Sequence, residues 1–239
     1  ACSAAVQASL RSSRRKPSKL GSTNKRAPHA TLLHIADTQR SACSGFTQQQ
    51  LGALHGYSCS GFKGDCLAQI NSDSIPGFTS QCISELKSSE VSSFSAQQIS
   101  KFTPFASSGW TSDQISHLMP TSCSGFLETQ VANLTPYSCS GISAACFKMI
   151  TGSAISGFSY KCASNFGDQS LSSITAEQLS RFTPDAVTGF PSKVMKTLVG
   201  KTCNGFTGDQ IFALNEYGCA ELGSERLLHP TLQTSQENA

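Results

Sequence analysis

The sequence predicts a repeat solenoid built mainly from short α- or 3-10 helices, with one coil for each 16-residue unit and disulfide bonds joining the coils. Three observations predict this fold class. Residues 43–218 divide into eleven 16-residue units without an insertion, four positions of the unit are apolar in nearly every unit, and ten cysteines recur at two positions of it. The alternative is a β-solenoid or leucine-rich-repeat-like coil, with Cys-Ser-Gly-Phe as a short strand.

The predicted core follows from the apolar positions. When each unit is numbered from Cys43, position 4 is apolar throughout and aromatic in most units. It is occupied by Phe46, Phe62, Phe78, Phe94, Trp110, Phe126, Ile142, Phe158, Ile174, Phe190 and Phe206. Position 12, which is Leu54 in the first unit, is also apolar throughout, and position 9, which is Leu51 in the first unit, is nearly so. We expect one continuous interior, because a short coil buries these side chains only against the coils before and after it.

Residue types at the polar positions predict two short helices in each unit. Thr or Ser at position 5 with Gln three residues later is the capping-box pattern, as at Thr111 and Gln114. Thr-Pro at positions 13 and 14, as at Thr103 and Pro104, is typical of a second N-cap with Pro in the first helical position. We expect the Gly at position 3 to end this second helix in a left-handed turn.

Charge and composition divide the chain. Residues 1–30 are predicted to be a disordered Ser-rich leader, since residues 1–36 hold seven basic groups and no acid. An N-terminal cap is expected at 31–42 and a degenerate C-terminal cap with a polar tail at 219–239. The eleven repeats between them fall into the blocks 43–122, 123–202 and 203–218.

Eleven cysteines in a chain rich in Ser and Thr indicate an oxidising compartment. Ten of them are predicted to form disulfides: Cys43, Cys59, Cys66, Cys82, Cys123, Cys139, Cys146, Cys162, Cys203 and Cys219. We favour bridges between cysteines at the same position of neighbouring units, as in Cys43–Cys59, because this uses every cysteine except Cys2. The alternative joins position 1 to position 8 of the next unit, as in Cys43–Cys66, and leaves Cys203 and Cys219 without partners.

No pattern in the sequence indicates catalysis or a cofactor. The cysteines lack the C-x-x-C spacing of zinc sites, and neither a nucleophile elbow nor paired carboxylates are found. The absence of a long apolar run predicts no membrane span, and a repeat array with net charge −4 in residues 37–239 predicts no nucleic-acid partner. Asn133-Leu134-Thr135 matches the pattern of an N-glycosylation acceptor.

The Gly-Phe-Thr-x-x-Gln-Ile-x-x-Leu unit resembles short-unit solenoid repeats, similar in style to leucine-rich repeats, that occur in surface and secreted proteins. The likeness covers residues 43–218 and implies no particular activity. The sequence therefore predicts a non-enzymatic extracellular or cell-surface structural or adhesion protein. Its elongated face would bind protein, extracellular matrix or polysaccharide, and its ends could assemble into filaments or matrix. The alternative is an organellar or intracellular helical-repeat adaptor for protein–protein interaction, with the leader as a transit peptide.

Overall fold

A computed structural model describes residues 42–167, 169–199 and 203–214 of the chain. Within these ranges the chain forms short helices and turns, and no strand occurs. The predicted helical coil is therefore confirmed in its secondary structure, and the strand-based alternative is wrong. The predicted leader 1–30, nearly all of the cap at 31–42, and the C-terminal cap and tail at 219–239 lie outside the described residues.

A new helix begins every eight residues along most of the chain, so that a 16-residue unit holds two helices. Each stacked helix packs against the helix that begins about 24 residues further along, which is one and a half units away and is the third helix along in most cases. The helices that begin at Gly56, Ser80 and Pro104 are one such series. The chain thus winds with three helices in each turn, and the helices form three stacks.

Stack A holds Gln48–Gly52, Ser72–Gly77, Ala96–Ile99, Pro120–Gly125 and Ala144–Met149. Stack B holds Gly56–Cys59, Ser80–Glu85, Pro104–Ser107, Glu128–Val131, Gly152–Ile155, Ala176–Ser180 and Cys203–Gly205. Stack C holds Gly64–Gln69, Ser88–Val91, Ser112–His117, Pro136–Cys139, Tyr160–Ala163, Pro184–Thr188 and Gly208–Ala213. Ser192–Val199 continues the eight-residue spacing, and the helices at 72–77, 120–125 and 203–205 are 3-10 helices.

Side-chain caps determine where the helices begin. At the first helix of a unit, the Thr111 hydroxyl accepts a hydrogen bond from the Gln114 backbone N–H at 3.2 Å. The Gln114 side chain accepts in return from the Thr111 backbone N–H at 3.0 Å. At the second helix, the Thr103 hydroxyl accepts from the Ala106 backbone N–H, and Pro104 occupies the first helical position. Both predicted capping patterns are confirmed.

The prediction that each 16-residue unit forms one coil is wrong, because stacked helices begin one and a half units apart. Equivalent helices of consecutive units lie in different stacks, two-thirds of a turn from each other. The physical reason is visible in the apolar positions. Positions 1 and 9, and likewise 4 and 12, are half a unit apart, so both helices of a unit fill the same interior and three of them complete a turn.

The interior is one continuous core, as predicted. Phe78, Phe94 and Trp110 contact one another in series, with ring centroids 6.3 and 6.1 Å apart. Phe102, from position 12, packs against all three of these rings, at 5.6 Å from Phe78, 5.3 Å from Phe94 and 5.5 Å from Trp110. All four side chains are buried. Aromatic rings from both helices of the unit therefore alternate along the axis of the coil.

Glycine at position 3 allows neighbouring turns to approach closely. A Cβ atom on Gly109 would lie 2.1 Å from the carbonyl oxygen of Ser80, one turn earlier in stack B. Gly141 is in the same situation, at 2.0 Å from the carbonyl oxygen of Ser112 in stack C. None of the described glycines has a left-handed φ, so the predicted left-handed turn is wrong. Glycine is needed at position 3 because a side chain there would collide with the neighbouring turn, and not because the backbone adopts an unusual conformation.

Buried glutamines at position 8 join the turns by hydrogen bonds. The Gln98 side-chain amide nitrogen donates to the carbonyl oxygens of Leu67 and Ile70, both at 2.8 Å, in the preceding turn. Its amide oxygen accepts from the Ser95 backbone N–H at 2.9 Å, so the buried amide is well satisfied. The same bridging arrangement recurs at Gln114, Gln130, Gln178 and Gln210.

Replacing Gln98 with alanine should lower the free energy of unfolding by about 1–3 kcal/mol, because two buried carbonyl groups lose their donor. Gln97→Ala is the matched control. Gln97 is the preceding residue of the same helix but is exposed, so its loss should change stability by less than about 0.5 kcal/mol. Chemical denaturation of the two variants measures the difference, and equal effects would contradict the bridging role.

Gly141→Ala should destabilise the protein by about 1–3 kcal/mol or more, because the new methyl group would overlap the Ser112 carbonyl of the preceding turn. Gly208→Ala serves as the control, since a Cβ atom there meets nothing within 4 Å. Thermal unfolding followed by circular dichroism compares the two. A Gly141→Ala protein as stable as the control would show that the turns are further apart than described.

Candidate functional site

The predicted disulfide cysteines lie between neighbouring turns. Where cysteine replaces glutamine at position 8, it bonds to the position-1 cysteine of the preceding unit, with Cα atoms 5.3–5.4 Å apart. The bridges are Cys43–Cys66, Cys59–Cys82, Cys123–Cys146 and Cys139–Cys162. Cys219 and the side chain of Cys203 lie outside the described part of the chain.

The favoured same-position pairing is wrong for these eight cysteines, and the alternative framework, which joins position 1 to position 8 of the next unit, is found instead. The reason is the length of the turn. Cys43 and Cys66 have a sequence separation of 23, which places them in adjacent turns and within reach of a disulfide. Cys43 and Cys59 are only one unit apart, which is two-thirds of a turn and leaves them beside different stacks.

The remaining predicted site residue, Asn133, is exposed. Its side-chain amide donates a hydrogen bond to the carbonyl oxygen of Thr129 at 2.8 Å. Among the described residues, no group of three or more His, Cys, Asp or Glu side chains is placed to hold a metal ion. No described helix is long and apolar enough to cross a bilayer.

The candidate site is a groove of about 410 Å³ between stacks B and C, a volume within the range of small-molecule sites. Its walls come from three consecutive turns. The lining residues are Ser80, Gln81, Ser84, Ser108, Gly109, Trp110, Thr111, Ser112, Thr135, Tyr137 and Ser138. None of these eleven residues carries a charge, and most bear a hydroxyl group. We call this feature the B–C groove.

Three segments position the walls of the B–C groove. Helix Ser80–Glu85 of stack B forms one wall, and helix Pro136–Cys139 of stack C contributes another. The corner at residues 108–112 leads from stack B to stack C and lines the groove between them. This corner can lie against Ser80 only because position 109 is glycine. The groove is therefore formed by the same close packing of neighbouring turns that occurs elsewhere in the coil.

Hydrogen bonds within the fold fix the orientation of most groove hydroxyls. Ser84 donates to the Gln81 carbonyl at 2.9 Å, and Ser108 donates to the Phe105 carbonyl at 2.8 Å. The proton of each hydroxyl group is thus committed, and its oxygen remains an acceptor. Ser112 shares a hydrogen bond of 2.9 Å with Ser140. The Gln81 amide is exposed and supplies donors as well as an acceptor.

Two aromatic residues line the B–C groove in different ways. The Tyr137 side chain is 80% exposed, whereas Trp110 is 2% exposed and packs into the core. The indole N–H of Trp110 is a buried polar group without a hydrogen-bond partner among the described residues. Tyr137 therefore offers a ring face to a ligand, and Trp110 forms the base beneath it.

Sequence reasoning missed this groove. It correctly assigned the position-4 aromatics, including Trp110, to the core, but it did not consider position 15. That position is polar in most units and aromatic at Tyr57, Phe105, Tyr137 and Tyr217, and the first three, which the structure describes, are largely exposed. An aromatic residue at an otherwise polar, outward position was the available signal.

Trypsin digestion of the native protein without reduction should leave peptides 41–63 and 64–87 joined by disulfide bonds. Lys63 separates the two peptides, each holds two cysteines, and the bridges Cys43–Cys66 and Cys59–Cys82 both cross between them. Mass spectrometry before and after reduction makes the comparison. Two separate peptides, each with an internal bridge, would restore the same-position pairing.

Comparison with known proteins assigns no relative: the chain matches no known family, no curated protein and no solved structure.

Proposed function

We propose that this protein is a non-enzymatic structural or adhesion protein of the extracellular space or cell surface, and that the sides of its coil bind partners. The observation that carries the proposal is the set of four bridges between successive turns. Such bridges persist in oxidising compartments and are reduced by the thiol buffers of the cytosol. The distribution of bridges over residues 43–162 makes them part of the scaffold.

The bridges and buried glutamines support an adhesive role because they hold the outer surface in a fixed arrangement. Each bridge closes a loop of about 24 residues and stabilises the coil by about 3 kcal/mol on the chain-entropy account. A surface ordered before binding loses less conformational entropy when a partner docks. Repetition of one small surface over several turns also allows multivalent binding to a repetitive partner.

Stack B illustrates this regular surface. Serines recur at the same place at the end of five of its helices, with Ala132 in that place after Glu128–Val131, and each serine donates a hydrogen bond to the carbonyl three residues earlier. These residues are Ser60, Ser84, Ser108, Ser156 and Ser180. Their oxygens form a row of hydrogen-bond acceptors along the stack. The partners we propose are protein, extracellular matrix or polysaccharide, with end-to-end assembly as a further property of the coil.

The protein isolated from its source should contain at most three free thiols, because eight of its eleven cysteines are bridged. Maleimide labelling in denaturant, followed by mass spectrometry, counts them. The control is the same sample after reduction, in which all eleven cysteines should react. Eleven reactive thiols before reduction would contradict an extracellular location and favour the organellar or intracellular adaptor.

Adhesion is tested separately with beads that carry the native protein or the same protein after reduction and alkylation. Native beads should attach to insoluble extracellular material of the source, and the reduced beads should attach less because the surface is no longer held in place. Equal attachment, or no attachment by the native beads, would contradict the adhesive role.

A further inference from the structure

We propose that the B–C groove binds a short segment of a neutral polysaccharide, with the Tyr137 ring packing against one face of a sugar ring. This inference rests on the proposed adhesive function and gives its ligand a chemical class. It is carried by the groove's uncharged lining, its mixture of hydrogen-bond donors and acceptors, and its single largely exposed aromatic ring.

The exposed ring of Tyr137 is suited to a sugar. One face of a pyranose ring carries several C–H groups, which are weakly positive and apolar, and the face of an aromatic ring is weakly negative. A side chain that is 80% exposed in a groove leaves this face accessible. The hydroxyl group at the tip of Tyr137 remains available to water or to a ligand oxygen.

The hydrogen-bonding groups that line the groove narrow the class of ligand further. Ser84 and Ser108 have their donors committed to backbone carbonyls, so they offer acceptors, while the Gln81 amide offers donors. A ligand that satisfies both must itself donate and accept at closely spaced points. Sugar hydroxyl groups do both with a single atom, so a polyol complements these polar groups better than a purely acceptor ligand does.

Charge determines which class of sugar fits. The lining holds no lysine, arginine or histidine to neutralise a carboxylate, sulfate or phosphate. An anionic ligand would lose hydration in the groove without gaining a charged partner there. The observations therefore favour neutral glucan- or chitin-type chains over uronic-acid, sulfated or nucleic-acid polymers.

Trp110 provides an internal reporter, since it is the single tryptophan of the chain and lies at the base of the groove. Its indole packs in edge contact with Phe94 and Phe102, and its N–H lacks a partner among the described residues. A change in the packing or hydration above it alters the emission of this one fluorophore.

The test titrates the intact, oxidised chain with neutral hexasaccharides of β-1,4-glucose, β-1,3-glucose and β-1,4-N-acetylglucosamine, and records Trp110 emission. At least one should give a saturable change. Tyr137→Ala should weaken that binding about tenfold or more, and Gln81→Ala should weaken it to a smaller extent. Tyr57→Ala is the matched control, because Tyr57 occupies the same unit position, is 84% exposed and lies outside the groove. Its affinity should equal that of the unchanged protein.

Two further ligands distinguish a site for neutral sugars from a site for acidic sugars or for a peptide. Oligogalacturonate, an acidic sugar, should bind more weakly than the best neutral hexasaccharide. A proline-rich peptide that binds with the same dependence on Tyr137, while no hexasaccharide does, would overturn the sugar assignment. Absence of a saturable change with every hexasaccharide would overturn it as well. Neither result affects the thiol count or the bead attachment, which decide the proposed function independently.

Discussion

The structure depends on the contact between each helix and the helix one turn, or about 24 residues, further along the chain. Helices of three to eight residues are too short to be stable by themselves in water. They persist because each one is capped by its own side chains and is packed between a helix of the turn before and a helix of the turn after. Three such stacks enclose the Phe, Ile and Leu side chains in a single interior. Each helix is therefore stabilised mainly by its contacts with the neighbouring turns and not by its own helix propensity.

Position 8 shows how the chain joins its turns with two different chemistries. Gln114 holds the preceding turn through a buried amide, whereas Cys66 and its equivalents hold it through a covalent bond. The residue at position 8 is matched to the residue at position 1 of the previous unit. Where position 8 is cysteine, that residue is also cysteine. Where position 8 is Gln114, it is the apolar Val91. Glycine at position 3 brings the turns close enough for either link. The same closeness forms the B–C groove, so the site we propose is a product of the scaffold and not an addition to it.

Much of this architecture could be predicted from the sequence, because the apolar positions and the capping residues act locally. The position-4 aromatics are in the core, and Thr111 with Gln114 forms the predicted capping box. The length of the turn could not be taken from the repeat unit, since residue types recur once per unit while the helical geometry recurs twice. This difference also made the same-position disulfides wrong. The groove was missed for another reason: Ser80 and Tyr137 are far apart in sequence and belong to different stacks, so only the winding brings them together.

A designed disulfide tests the central claim, which is that three helices make one turn. Val91 and Gln114 occupy the same unit positions as the bridged Cys43 and Cys66, whereas Val91 and Ser107 share position 1 of consecutive units. In the protein with Val91→Cys and Gln114→Cys, mass spectrometry of the unreduced chain should find a new bridge between residues 91 and 114. The protein with Val91→Cys and Ser107→Cys should keep both new thiols free. A bridge in the second protein but not in the first would contradict the three-helix turn and support a coil made of a single unit.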